Sequence, residues 1–302
     1  MQFLAAYIMK GRLQAMMIAS TFALLSLPFP PVSIVSSASV ALVTLRKGGK
    51  EGFYVLICAC LAAGLLSTLL LGGYQFALLY GMVLWVPVWL IALVLREGRH
   101  LAVAIEIAVL LGIAAVIGFY LYQTDVAQFW RQVLEVMIQP MLAANPDVPA
   151  ESLQQSADVF AHYMTGGIAA GTVYGLLFGL FLARWWQSVL YNPGGFRLEY
   201  LALRSQPKLA LASVLIIAVA FLASGMIAEL CWNITILLFV LYTFMGAAVL
   251  HCTFATMKTG RFMVPFLYAT VLIIPHVMVL VALFGLLDTW LDLRNKLKPN
   301  GA

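Results

Sequence analysis

Glu106 is the residue whose type and position in this sequence most strongly suggest chemistry. It lies inside an apolar run, residues 101–122. A carboxylate in hydrocarbon is unfavourable by a few kcal/mol unless it is protonated, paired or hydrated, so Glu106 is a candidate binding residue. His251, which we expect at a similar depth, is the first partner to consider. The alternative is that Glu106 reaches the interface beside Arg96 or Arg99 and forms a structural ion pair.

Two histidines in apolar runs are weaker candidates for a binding site. His251 lies near the end of the run 231–253, and His276 directly follows Pro275. Buried histidines are more often hydrogen-bonded to a backbone carbonyl than engaged with a ligand. The sequence contains no metal-binding His or Cys spacing, phosphate-binding loop, nucleophile elbow or dinucleotide fingerprint. We therefore expect no metal, no cofactor and no enzymatic activity.

Four glycines repeat at intervals of four residues in the sixth apolar run. They are Gly167, Gly171, Gly175 and Gly179. On a helix this spacing leaves one face without side chains, and such faces allow tight helix packing in membranes. We predict that Gly171 and Gly175 contact a neighbouring helix at backbone-to-backbone distance. A groove that faces a ligand is the alternative.

The elements that would position these residues are membrane helices. The chain of 302 residues is 64% hydrophobic and 10% charged, with a mean hydropathy of +1.00, whereas soluble domains are about 45–50% apolar and about 25% charged. A water-soluble fold could not bury so much apolar surface. The basic residues behind the net charge of +5 are scattered between apolar runs, which argues against nucleic-acid binding.

We predict an all-α bundle of about nine transmembrane helices, each suited to a hydrocarbon core of about 30 Å. The apolar runs cover residues 13–28, 32–45, 52–72, 76–95, 101–122, 162–183, 209–228, 231–253 and 262–287. We expect the last run to be one tilted, full crossing, although Pro275 could break it and return the chain. The chain then divides into a six-helix core (1–183), an interfacial elbow (184–208) and C-terminal membrane helices with a short tail (209–302).

Alternate crossing of these runs places most of the 17 basic residues on one side. These are Lys10, Arg12, Arg46, Lys47, Lys50, Arg96, Arg99, Arg184, Arg197, Arg204, Lys208, Lys258 and Arg261. Arg131 alone would lie in a loop on the opposite side. Because loops rich in Lys and Arg remain in the cytoplasm, we predict a cytoplasmic N-terminus. A full ninth crossing would carry Arg294, Lys296 and Lys298 outside, against the same rule.

The longest outer loop, residues 123–161, has apolar residues at helical spacing. They are Phe129, Trp130, Val133, Met137 and Met141, and the sequence Asn-Pro-Asp-Val-Pro follows at 145–149. This pattern predicts an amphipathic helix on the outer surface. The helix would either cap the bundle or act as a mobile lid over a cavity.

The inner loop is the least generic stretch of the chain. Trp185 and Trp186 are typical of an interfacial aromatic belt. The sequence Asn192, Pro193, Gly194 and Gly195 must break the helix, because proline removes a donor and glycine permits positive φ. We expect a short helix to follow, with Phe196, Tyr200 and Leu203 facing the lipid.

Two strings in the chain resemble the YybS-like family of bacterial membrane proteins, a domain of unknown function. The first string spans 184–197 and includes Arg184, Trp185, Trp186, Asn192, Pro193, Gly194, Gly195 and Arg197. The second spans 285–294 and includes Asp288, Trp290, Asp292 and Arg294. The resemblance implies a multi-pass protein of the bacterial cytoplasmic membrane. It implies membership of a family, but it does not imply an activity.

A more distant resemblance is to the substrate-binding S-components of energy-coupling-factor transporters. The similar part is the proline-marked tip at 28–31, the short second helix and the third helix rich in small residues. In that group a small-residue stripe on the first helix docks onto the coupling module, and Ala15, Ala19 and Ala23 would form the stripe here. The three spans after Lys208 depart from the six-helix pattern.

Two functions are compatible with these features. In the first, a helical core of the S-component type binds or transports a small molecule, and the 123–161 segment covers the site. This function requires a cavity. In the second, the protein is a membrane scaffold, assembly or regulatory protein whose Asn-Pro-Gly-Gly elbow contacts a membrane or cytoplasmic protein. This function predicts a filled interior. In both, the lipid bilayer is the surrounding partner.

Overall fold

The computed structural model describes residues 2–144, 149–257 and 259–296, and it is helical throughout these ranges, without a strand. The predicted all-α class is thereby confirmed. Asn145, Lys258 and Lys298, which the loop and topology predictions use, lie outside the described residues.

Short turns join the first six helices of the chain. They are α1 (Gln2–Lys10), α2 (Arg12–Leu25), α3 (Ser33–Lys47), α4 (Gly49–Leu71), α5 (Gln75–Gly98) and α6 (Leu101–Tyr122). The proline-rich tip forms a 3-10 turn at Pro30–Val32, as the sequence predicts for a hairpin. Gly72, with a φ of 78°, ends α4 in the left-handed region that glycine adopts without strain.

The remaining helices include the two longest. They are α7 (Val126–Ala144), α8 (Ala150–Ala161), α9 (Met164–Tyr191), α10 (Gly195–Leu201), α11 (Pro207–Leu222), α12 (Gly225–Ala255), α13 (Gly260–Ile273), α14 (Val277–Leu291) and α15 (Leu293–Lys296). Among the described residues, five helices are long and apolar enough to cross a membrane: α4, α5, α6, α9 and α12. Four shorter apolar helices are α2, α11, α13 and α14. The count of nine crossings stays a prediction.

The chain forms two compact units, each built from separate stretches. Unit 1 comprises Met1–Ala108, Thr172–Ser205 and Leu241–Ala302, and unit 2 comprises Val109–Gly171 and Gln206–Val240. In unit 1, α3 is the central helix, and its residues from Ser36 to Leu45 are all buried. Its Ser36 hydroxyl donates to Ala19 O at 2.7 Å and accepts from Trp85 Nε1 at 3.0 Å, which joins α2, α3 and α5.

The small-residue stripe on α2 is already used inside unit 1. Ala15, Ala19 and Ala23 have no exposed surface, and α2 packs against α3 and α4. The docking role that the S-component resemblance implies for these alanines is therefore wrong for this fold, because no partner could reach them without displacing the neighbouring helices.

In unit 2, the segment predicted to be an amphipathic helix forms two helices, α7 and α8. They pack together, and Arg131 Nε lies 3.3 Å from Asp158 Oδ1 across the pair. Trp130 Nε1 donates to Thr165 Oγ1 at 2.7 Å, which ties α7 to the start of α9. Met137 and Met141 are exposed, so α7 retains an apolar outer side.

The ninth apolar run is broken into two helices, so the prediction of one tilted helix is wrong. Helix α13 ends at Ile273 and α14 begins at Val277, with Pro275 in the break. Proline cannot donate to the preceding turn, which explains the position of the break. Arg261, at the start of α13, and Arg294, just beyond α14, both lie beside residues of 197–203. The two ends of the broken segment therefore meet the same short stretch of chain.

The glycine stripe on α9 does not pack as predicted. A Cβ atom placed on Gly167, Gly171 or Gly175 would meet no atom of the described residues within 4 Å. Of the four glycines, Gly179 alone approaches a neighbour in this part of the chain, at Ser37 and Ala38 of α3. The prediction of backbone-to-backbone contact at Gly171 and Gly175 is wrong. The close crossing lies instead between α12 and α14, where a Cβ on Gly246 would overlap Val281 O and one on Gly285 would overlap Tyr242 O.

Candidate functional site

Unit 1 contains a cavity of about 480 Å³ whose wall is largely aromatic, which we call the aromatic chamber. Its aromatic residues are Tyr174, Phe178, Phe181, Phe196, Tyr200, Phe244 and Tyr268. Helices α9, α10, α12, α13 and α14 contribute to the wall, and the Gly246–Gly285 crossing sets the close approach of α12 and α14. The volume lies within the roughly 300–1,000 Å³ of small-molecule sites. The chamber is therefore large enough for one small ligand.

The elbow forms one side of this chamber. Gly194 has a φ of 87°, so the predicted helix break at Asn192–Pro193–Gly194–Gly195 is confirmed. Ser188 Oγ donates to Asn192 O at 2.8 Å and accepts from Phe196 N at 3.2 Å, which fixes the start of α10. The break turns α10 back against α9.

Phe196 and Tyr200 of α10, and Leu203 just beyond it, contact the protein, contrary to our prediction that they face the lipid. The rings of Phe196 and Phe181 are 5.9 Å apart, those of Tyr200 and His251 are 5.5 Å apart, and Leu203 is buried. Aromatic edge-to-face contacts with α9 and α12 stabilise this orientation. The sequence spacing shows which residues share a face, but it does not show which neighbour that face contacts.

A second pocket, of about 280 Å³, shares Arg197, Tyr200 and His251 with the chamber. Arg261 also lines this pocket, which we call the basic mouth. Neither Arg197 nor Arg261 forms an ion pair with a carboxylate of the described residues. An apolar cavity and an adjacent positively charged pocket therefore share one wall.

One buried polar atom of the chamber wall, His251 Nε2, has no hydrogen-bond partner among the described residues. The ring of His251 packs between Tyr200 and Tyr268. Burial, and then the nearby Tyr268, raises the pKa of the Tyr200 phenol, so this hydroxyl remains a neutral donor at physiological pH. The wall can thus offer the His251 Nε2 nitrogen, which no group of the described residues uses.

The second string that carries the family resemblance contacts residues 201–204, which lie a few positions beyond the first string. Arg294 Nε donates to Asp288 Oδ2 at 3.0 Å, and the Arg294 guanidinium also donates to Leu201 O and Leu203 O. Arg204 pairs with Asp292. Asp288 is 2% exposed, so its ion pair with Arg294 is buried. Because the same guanidinium donates to Leu201 O and Leu203 O, it clamps the C-terminal segment to the end of α10. Trp290 is exposed and takes no part in the clamp.

The other elbow residues of the first string have structural contacts. Arg184 pairs with Glu199 and also bonds to Gln187, so its charge is neutralised. Trp186 is fully buried, whereas Trp185 is partly exposed. Asn192, Pro193 and Gly194 are exposed at the turn.

Glu106 and His276 do not line the aromatic chamber. Glu106 is 7% exposed and makes at least one polar or electrostatic contact. His251, the partner first considered for it, packs against two tyrosine rings instead. Arg96, considered as its ion-pair partner, donates to Leu45 O at 2.6 Å and lies 3.7 Å from Glu97. His276 is exposed at the break before α14.

Unit 2 contains a polar cluster around Asn233 that sequence reasoning missed. Asn233 Nδ2 donates to Tyr120 Oη at 3.1 Å, to His162 O at 2.7 Å and to Glu229 O at 2.8 Å, and Oδ1 accepts from Gly166 N at 2.5 Å. Glu229 in turn contacts Tyr120 Oη at 2.7 Å and His162 Nδ1 at 2.6 Å. The gap between the apolar runs 209–228 and 231–253 predicts an outer turn marked by Glu229, Trp232 and Asn233, but all three lie in α12, which begins at Gly225. The available signal was the spacing of four between Glu229 and Asn233.

Within the described ranges, no three His, Cys, Asp or Glu side chains come together as metal ligands. The chemistry that the chamber offers is binding: an apolar wall, a neutral phenol, an imidazole and two arginines.

The fold and site therefore define an all-helical protein with membrane-type helices and an aromatic cavity. No family model, no curated protein and no solved structure matches the chain.

Proposed function

We propose that this is a multi-pass integral membrane protein that binds the hydrocarbon part of a small amphiphilic molecule in the aromatic chamber. The observation that carries the proposal is the chamber itself, an apolar cavity of about 480 Å³ in the described part of unit 1. Buried aromatic surface binds apolar chains through the hydrophobic effect and dispersion contacts. The binding site is thus proposed between the sixth predicted span, α9, and the later helices α10 and α12–α14, and not within the first six predicted spans alone.

The cavity supports binding over the scaffold hypothesis, which requires a filled interior. The contacts of the elbow point the same way, because α10 packs against the protein's own α9 and α12 and is clamped by Arg294. The resemblance to the YybS-like family stays a prediction.

We further propose that the protein resides in a bacterial cytoplasmic membrane with its N-terminus and elbow inside. The distribution of basic residues between the apolar runs supports this orientation. Both ends of the α13–α14 segment lie beside residues 197–203. We therefore propose that the basic tail is cytoplasmic too. With the tail on that side, the chain agrees with the positive-inside rule.

Cysteine labelling of intact cells tests this orientation. In a background without Cys58, Cys60, Cys231 and Cys252, an impermeant reagent should modify a cysteine at Ser152 and spare one at Gly194. It should also spare one at Lys296. Modification of Gly194 and protection of Ser152 would reverse the topology.

Photo-crosslinking tests the binding proposal. A long-chain alcohol with a diazirine in its chain is added to the protein in nanodiscs of neutral lipid, and labelled residues are mapped by mass spectrometry. We expect labelling at buried chamber residues such as Phe181 and Phe244, and competition by the unlabelled alcohol. Labelling only at lipid-exposed residues such as Leu65 of α4 would overturn the proposal.

Ala247→Trp provides the matched variant, because Ala247 lines the chamber and a large side chain there would fill it. Ala212→Trp, at an exposed position of α11, is the control. We expect chamber labelling to disappear in the first variant and to persist in the second. Val271→Phe, at another wall position, replaces Ala247→Trp if that variant fails to fold.

A further inference from the structure

We infer that the amphiphile bound in the chamber carries an anionic head group, which Arg197 and Arg261 bind in the basic mouth. This inference rests on the proposed function and names the ligand class of the same site. It depends on the juxtaposition of the two pockets. Arg197, Tyr200 and His251 line both, so a single molecule can place its chain in one and its head in the other.

The charge of the mouth is the first argument. The elbow's other arginine in this region, Arg184, pairs with Glu199, and the buried Arg294 pairs with Asp288. Arg197 and Arg261 have no carboxylate partner among the described residues, although both line a pocket beside an apolar cavity. The mouth therefore carries two positive charges that an anion from outside can neutralise.

The donor chemistry is the second argument. Guanidinium groups form paired hydrogen bonds to the oxygens of carboxylates and phosphates. Arg261 also lies over the ring of Phe262, with Cζ 4.7 Å from its centroid, which limits the orientations of the side chain. Tyr200 adds a neutral hydroxyl at the junction of chamber and mouth. A carboxylate or a phosphate monoester has the oxygens that these donors require.

The size of the chamber is the third argument. Its volume of about 480 Å³ lies in the lower half of the range for small-molecule sites, roughly 300–1,000 Å³. A single hydrocarbon chain suits this volume better than the two chains of an ordinary membrane lipid. The ligand class is therefore a single-chain amphiphile with a carboxylate or phosphate head.

The test compares probes that share one diazirine-bearing chain and differ only in the head group. A fatty alcohol, a fatty acid and an alkyl phosphate are each added in neutral nanodiscs, at a pH where both acids are ionised. We expect the wild-type chamber to be labelled about tenfold more efficiently by an anionic probe than by the alcohol, since charged hydrogen bonds contribute at least about 1.4 kcal/mol, a factor of ten. The ratio between the two acids distinguishes a carboxylate from a phosphate ligand.

The double variant Arg197→Gln/Arg261→Gln should lose this preference, which is measured as the ratio of acid to alcohol labelling within the same variant. Arg99→Gln is the matched control, because Arg99 lines a different, polar pocket and should leave the preference intact. Arg197→Lys/Arg261→Lys should restore much of the preference, since it restores the charges. Raising the salt concentration should weaken the preference in the wild type.

The outcomes separate the two proposals. Labelling of the chamber by the alcohol without any preference for the acids would overturn the anionic-head inference and leave the binding proposal standing. A preference that persists in the double glutamine variant would also overturn the inference, because Arg197 and Arg261 would then not bind the head group. They would act only as basic residues that set the orientation in the membrane. Failure of every probe to label the chamber would overturn both.

Discussion

The two halves of α12 differ in the hydrogen bonding of their buried polar atoms. In the N-terminal half, Asn233 has no exposed surface and engages both ends of its amide in four hydrogen bonds. In the C-terminal half, His251 Nε2 is buried without a partner among the described residues and lies in the wall of the chamber. In the N-terminal half the polar side chain is fully hydrogen-bonded within the protein, whereas the C-terminal half lines an open cavity.

The difference distinguishes a structural cluster from a binding site. A buried polar group is stable when all its hydrogen bonds are made within the protein, and an unpaired one lowers stability unless a ligand or water completes it. By this criterion Glu229 and Asn233 hold helices together, although a carboxylate in an apolar region is usually the first functional candidate. In the aromatic chamber the unpaired His251 Nε2 lies beside open space, so a bound molecule could complete its hydrogen bonding there.

Asn233→Leu should have the largest effect on stability. The substitution leaves Gly166 N–H and several acceptors unpaired in a buried environment, and we expect the free energy of unfolding to fall by about 3 kcal/mol. Thermal unfolding in detergent measures the change. Thr235→Ala on the same helix is the control, because its hydroxyl donates only to Cys231 O of its own helix. A loss no larger than that of the control would show that the cluster is not structural.

Gly246→Ala should have the next largest effect. A methyl group here overlaps Val281 O, so α14 must move away from α12 at a cost of about 2 kcal/mol. The shift also displaces Val281 in the chamber wall, so chamber labelling by the alcohol probe should fall together with the melting temperature. Unchanged labelling and stability would mean that this crossing does not define the chamber.

The sequence predicts local backbone features of the elbow better than it predicts their surroundings. The break at Asn192–Gly195 follows from the chemistry of proline and glycine, which acts within a few residues. The inward orientation of Phe196 and Tyr200 depends on Phe181 and His251, which are distant in the chain. An apolar face suits a protein neighbour and a lipid equally well, so periodicity alone cannot choose between them.

The glycines illustrate the same limit. A spacing of four predicts a smooth face, and the face exists on α9, but spacing does not say whether a helix covers it. The actual crossing uses Gly246 and Gly285, which lie on different helices and form no repeat. The break at Pro275 was recognisable from the residue type. The contacts of Arg294 with Leu201 O and Leu203 O, which join residues about ninety positions apart, were not recognisable from the sequence.

His251→Phe should have a smaller effect, in the stabilising direction. Because Nε2 makes no hydrogen bond among the described residues, replacing the imidazole by a similar apolar ring removes an unpaired polar atom and should raise the free energy of unfolding by up to about 1 kcal/mol. His276→Phe is the control, since His276 is exposed. A loss of stability comparable with that of Asn233→Leu would break the contrast between the halves of α12.

Gly171→Ala combined with Gly175→Ala should have the smallest effect, and its sign is the informative result. Both glycines lie within α9, and an added Cβ at either would meet no atom within 4 Å. Alanine favours a helix over glycine by about 0.5–1 kcal/mol per site, so the double variant should be slightly more stable than the wild type. Gly179→Ala is the matched test on the same helix, because its Cβ would press on Ser37, and this variant should be less stable. If the double variant instead unfolds at a lower temperature, another molecule, for example a second copy of the chain, packs against the stripe. The close helix contact predicted from the glycine repeat would then be intermolecular.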